Sequence, residues 1–148
     1  DQAHLPDGGV PRRELAAHCR AYERAIRDAG GIDLMILGIG CNGHIGFNEP
    51  GSKAGDRTRL VRLDPATRDR AVPDFGGREV PEEAITMGVA TILESRVVVL
   101  LAWGEDKAEA VERSIHGPVD PATPASLLQG HRRVFFHLDP DSSRRLNR

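Results

Sequence analysis

The stretch Ile32-Asp33-Leu34-Met35-Ile36-Leu37-Gly38-Ile39-Gly40-Cys41-Asn42-Gly43-His44-Ile45-Gly46-Phe47-Asn48-Glu49-Pro50 decides how this chain is read. Its first part, Ile32 to Leu37, is a short apolar run that suits a strand buried on both faces, as in a parallel sheet. Closely spaced glycines follow, and they let the backbone turn tightly and approach a ligand without side-chain interference. Ligands of α/β sheets bind at the C-terminal ends of strands, so the loop after Leu37 is the expected site. His44 exchanges protons near neutrality and Glu49 can stabilise its charged form, which adds proton-transfer chemistry to that loop.

Outward from this stretch, helix and strand alternate. On the N-terminal side Pro11 opens a helical pattern in which Leu15, Cys19, Tyr22, Ile26 and Ala29 recur at three- and four-residue spacing, closed by Gly30-Gly31. On the C-terminal side, Ser52 to Gly77 is rich in Arg, Asp, Gly and Pro with little apolar periodicity, and reads as an irregular, mobile cover. Pro81 to Glu94 has helical periodicity. Arg96 to Ala102 is a second buried strand, and Glu105 to His116 a helix ending at Gly117-Pro118. Pro118 to Gly130 reads as loop with at most one short helical turn, Arg133 to Leu138 as a third strand, and Asp139-Pro140 as the start of a terminal helix. The pattern predicts an α/β, Rossmann-like doubly wound parallel sheet, present only in part, as a single domain portion over residues 1–148 with a lid at about 52–77.

Composition narrows the function classes. With 148 residues and 39% hydrophobic content the chain has enough apolar material for one ordinary domain. A net charge of −2 leaves no footprint for nucleic acid or a membrane surface. No apolar run approaches the ~20 residues that cross a bilayer, and the first residues lack the regions of a signal peptide, so cytoplasm is the expected location. Cys19 and Cys41 suggest neither a disulfide framework nor a closed zinc site. Cys41, His44 and Glu49 offer S, N and O ligands, but their spacing matches no common zinc signature, and no metal is expected. The Gly-Ile-Gly of the loop is also a poor dinucleotide fingerprint, because no helix of suitable length follows it. Lys53 and Lys107 are the only lysines among 20 basic residues, which makes Lys107, at the start of a predicted helix, a candidate anion ligand.

The run from Gly38 to Pro50 resembles the glucosamine-6-phosphate deaminase/isomerase family, whose signature reads Gly-x-Gly-x-(Asp/Asn)-Gly-His-Ile-(Ala/Gly)-Phe-Asn-Glu-Pro. Related 6-phosphogluconolactonases share the opening but continue Thr-Ala-Ser, so Ile45 through Pro50 points to the deaminase branch. The resemblance runs from about Leu15 to Leu138 and includes Arg57-Thr58-Arg59, Ala84-Ile85-Thr86-Met87-Gly88-Val89, Lys107-Ala108 and Pro124 to His131.

This resemblance implies isomerisation and deamination of glucosamine 6-phosphate to fructose 6-phosphate and ammonia, with no cofactor and a small-molecule sugar phosphate as partner. It implies that His44, supported by Glu49 and Asn42, opens the sugar ring, that Gly40 and Gly43 let the backbone approach substrate, and that Lys107 binds phosphate. A phosphate-clamping arginine of the family falls at Pro73; Arg70 and Arg78 are the candidates to reach in from a rearranged lid, each set against the reading of a merely solvated side chain. Ser52 and Arg59 match an allosteric site of some members whose lysine is replaced here by Val61. The family's phosphate loop and the acidic residue that moves the C1/C2 proton have no counterpart, so the chain reads as a C-terminal portion. The sequence leaves open a non-catalytic sugar-phosphate-binding or regulatory relative, a deaminase/isomerase for another amino-sugar phosphate, and the oligomeric state, a homo-oligomer included.

Overall fold

A computed structural model describes residues 3–146. Its elements in chain order are α1 (Arg12–Asp28), β1 (Leu34–Gly38), β2 (Arg59–Arg62), α2 (Pro65–Ala71), β3 (Glu83–Thr86), α3 (Val89–Leu93), β4 (Val97–Ala102), α4 (Ala108–Ile115) and β5 (Val134–Leu138). Single 3-10 stretches lie at Val72–Phe75, Glu105–Lys107 and Pro124–Gly130.

The three strands read from apolar runs form one parallel sheet in the order β1-β4-β5, with Leu37 beside Leu100 and Leu100 beside Phe136. Parallel strands joined by helical crossovers give the α/β, Rossmann-like class. One face of this sheet is the core. Val98, Leu100 and Ala102 of β4 are buried against Ile92 of α3, Ala110 and Val111 of α4, and Ala125 and Leu128 of the last 3-10 stretch. A fully buried Val or Leu contributes about 1.5–3 kcal/mol, so this row is a main source of stability.

The opposite face corrects the expectation of strands buried on both sides. Leu34 is 52%, Ile36 61% and Phe135 49% exposed, because no described element packs over that face. The alternation of strand side chains therefore divides each run into a core row and an open row.

Two further expectations change. Pro81 to Glu94 is not one helix: Glu83–Thr86 is a strand paired antiparallel to β2, and only Val89–Leu93 is helical. Pairing with distant backbone, which periodicity cannot register, overrides the helical spacing. Ser52 to Gly77 likewise contains β2, α2 and a 3-10 turn rather than irregular chain. Asp64 caps α2 by accepting from Ala66 N at 2.8 Å, with Pro65 at the first helical position. After Asp139-Pro140 the chain makes turns in place of the expected terminal helix.

The root of this segment is fastened to α1 by one buried carboxylate. Glu23 Oε1 accepts from Thr58 N at 2.9 Å, Thr58 Oγ1 at 2.5 Å and Thr91 Oγ1 at 2.6 Å. Burial alone would raise the pKa of Glu23, but the hydrogen bonds from Thr58 and Thr91 and the charge of Arg57 outweigh it and hold the group below the ordinary value.

Candidate active site

The loop that leaves β1 folds back on itself through Gly43 N donating to Gly40 O and Gly40 N donating to His44 O, both at 2.9 Å. Ala125 N donates to Gly43 O at 2.9 Å and docks the loop on the last 3-10 stretch. Gly40 has no substitute: a Cβ there would sit on the His44 ring, 2.7 Å from Cγ and closer still to Cε1 and Nδ1. The bare backbone is the seat of the imidazole.

Asn42 links His44 to Glu49. Its Nδ2 donates to Glu49 Oε2 at 2.8 Å, and a carboxylate can only accept, so Oδ1 must face the histidine. There Oδ1 accepts from His44 N at 3.1 Å and lies 2.8 Å from Nδ1. An amide oxygen cannot donate, which fixes the proton of the neutral ring on Nδ1. Nε2 is then the unprotonated nitrogen, with no protein hydrogen-bond partner among the described residues. Glu49 Oε2 is also 3.3 Å from Nδ1, and Glu49 Oε1 accepts from Asp64 N at 3.2 Å, which ties the dyad to the start of α2.

Burial is the largest influence on His44 and lowers its pKa; the Glu49 charge opposes this, and the charge of Lys107 adds to the lowering. The ring is therefore neutral at pH 7. Replacing Asn42 by Asp would place added negative charge beside Nδ1 and raise the His44 pKa. An NMR titration of the His44 ring protons in wild type and Asn42→Asp checks this, and a pKa that stays put or falls would contradict the proposed geometry.

His44 opens onto a cavity of about 320 Å³ whose walls include Gly40, Cys41, Asn42, Thr67, Arg70 and Lys107. Lys107 ends the 3-10 turn after β4, and its Nζ reaches Cys41 Sγ at 3.1 Å and Asp106 Oδ2 at 3.4 Å. Arg70 comes from α2 on the other side and donates to Asp106 Oδ2 at 2.8 Å.

The structure thus brings together His44, Asn42, Glu49, Gly40, Lys107 and Arg70, with Gly43 behind them in the loop. Arg78 lies apart, donating to Phe75 O at 3.2 Å with its guanidinium 6.0 Å from the Phe75 ring centre. Pro73 is exposed in the 3-10 turn after α2. Ser52 and Arg59 are bonded to each other at 3.0 Å. Cys41 turns to Lys107 and Asp106, not toward Glu49, so the S, N and O donors do not converge. Sequence reasoning missed Asp106 and Thr67; the linear signal for Asp106 was its adjacency to Lys107.

A histidine seated on a bare glycine backbone and two cationic side chains thus meet beside one end of a parallel α/β sheet. The family model for glucosamine-6-phosphate isomerases/6-phosphogluconolactonase matches residues 3–136, and the chain belongs to this family. It is 54% identical over 140 residues to a glucosamine-6-phosphate deaminase of Rhodopirellula baltica, covering 94% of this chain and 55% of that protein. The solved structure of a monomeric glucosamine-6-phosphate deaminase superposes with a TM-score of 0.89 at 40% identity, over 95% of this chain and 58% of the other. A 6-phosphogluconolactonase from Trypanosoma brucei shares the fold, with a TM-score of 0.70 at 21% identity over 96% of this chain and 57% of that one. The chain spans little more than half the length of these relatives. No described helix is long and apolar enough to cross a membrane.

Proposed function

We propose that this chain carries the ring-opening and phosphate-binding part of a glucosamine-6-phosphate deaminase, which converts glucosamine 6-phosphate and water to fructose 6-phosphate and ammonia. The observation that carries this reading is His44, whose Nδ1 is held by Asn42 and whose side chain lines a cavity that also holds two cations. In the cyclic sugar, Nε2 takes the proton of the anomeric hydroxyl as the bond from C1 to the ring oxygen breaks, and returns it to that oxygen. Asn42 holds the ring in the required tautomer, and Glu49 stabilises the transient imidazolium. The proton transfer between C1 and C2 falls to an acidic group outside this set, and no cofactor enters.

Lys107 and Arg70 would hold the 6-phosphate, with α2 as the moving cover. Pro73 in place of the clamping arginine favours a second reading, a sugar-phosphate-binding relative without turnover. Arg70 answers it, because α2 presents a guanidinium to the same cavity three residues earlier. A charge-assisted hydrogen bond contributes about 1.5–3 kcal/mol, and the lysine is partly exposed, so Lys107→Ala should weaken binding of glucosamine 6-phosphate roughly 10- to 30-fold. Calorimetric titration measures it, and unchanged affinity would remove the phosphate site from this cavity.

A further inference from the structure

Arg70 and Lys107 reach the cavity from different elements, yet both close on a single atom. Asp106 Oδ2 lies 2.8 Å from Arg70 Nη1 and 3.4 Å from Lys107 Nζ, and the Cys41 thiol donates to it at 3.1 Å. Three donors around one anionic oxygen is the arrangement that a phosphate oxygen would take in this place. The carboxylate is held at a pKa of about 2, chiefly by its bond from Arg70, so it is ionised wherever phosphate is. Its side chain is 48% exposed, which leaves it a path into solvent.

We infer that Asp106 is a built-in counter-anion of this pocket: it occupies the two cations when no ligand is bound, and an incoming phosphate must displace it to reach them. The inference rests on the phosphate reading above. Two consequences follow from the contact. It draws α2 toward the turn that carries Lys107 before substrate arrives, because Arg70 lies on α2 and Asp106 in that turn. It also lowers anion affinity, since every ligand must outcompete a carboxylate already in place, and the dianion of a phosphate monoester does so better than a monoanion.

The test is titration of inorganic phosphate at pH 8 and low salt into the chain and its Asp106→Asn, Asp106→Ser and Lys107→Ala variants. Asp106 is exposed and carries no core contact, so folding should survive, and two different replacements guard against a local defect. Asp106→Asn or Asp106→Ser should bind phosphate about 2- to 5-fold more tightly, the range open to a partly exposed charge pair. A merely structural role would give weaker binding instead. If neither replacement tightens binding while Lys107→Ala weakens it, the counter-anion idea is wrong and the phosphate site stands. If Lys107→Ala leaves affinity unchanged, the phosphate reading fails and this inference falls with it.

Discussion

Replacing His44 by Gln is expected to slow turnover of cyclic glucosamine 6-phosphate by about 10²–10⁴-fold in an active protein that contains this chain, the usual worth of general acid–base help. Glutamine fills similar space and its amide can still face Asn42 Oδ1, so the Gly40 to His44 turn should persist. What it cannot do is take a proton at the position of Nε2 and give it back. The loss should therefore appear in ring opening and not in binding, and an open-chain sugar phosphate should bind as it does to wild type. Comparing kcat/KM for the cyclic sugar with the affinity of an open-chain analogue separates the two. Equal turnover by wild type and variant would mean that the ring opens without this histidine.

The parts of this architecture that sequence revealed are those whose cause is local. Leu34–Gly38, Val97–Ala102 and Val134–Leu138 lie within one or two residues of their apolar runs, because an apolar stretch between glycine or charged boundaries has few alternatives to a core strand. Arg12–Asp28 follows from a complete apolar stripe with proline before it and glycines after it. β2 and β3 were hidden because neither is hydrophobic enough to declare itself. Arg59-Leu60-Val61-Arg62 has two apolar residues of four, and Glu83 to Thr86 shares its spacing with the helix that follows. Each exists because the other is there, and such a pairing leaves no periodic trace in either strand. The helix α2 was legible in principle, since Asp64-Pro65 is a cap followed by a first-turn proline, but the arginine-rich composition around it obscured the signal.

The candidate site divides along the same line. His44, Asn42 and Glu49 lie within one loop, so their meeting could be inferred from spacing and resemblance. Arg70 and Asp106 come from α2 and from the turn after β4, and only the folded chain shows them joined. Sequence could offer Arg70 and Arg78 as equals. Geometry separates them, because one faces the cavity and the other is spent on Phe75.

The largest expected loss of stability comes from a residue outside the cavity. Gly88→Ala should destabilise the fold by about 3 kcal/mol, the upper end of what overpacking costs, and lower the melting temperature by about 6–12 °C for a chain of this size. Gly88 caps α3, and a Cβ on it would lie within 3.0 Å of Asp56 O and of the Arg57 carbonyl group, an approach that real Cβ atoms essentially never make. The neighbour is backbone and cannot rotate away. Nor can it shift as a unit, because Ala90 N donates to Asp56 O at 2.9 Å, Glu23 holds Thr58, and Arg59 Nη1 donates to the buried Asn48 at 2.9 Å. Relief would have to break one of these contacts, and the last of them leads to the residue beside Glu49. Thermal unfolding by circular dichroism measures the first effect, and a shifted His44 resonance in the folded variant would register the second. A melting temperature within about 2 °C of wild type would show that the Asp56-Arg57 backbone yields cheaply, and that the root of this segment is not the rigid support these contacts describe.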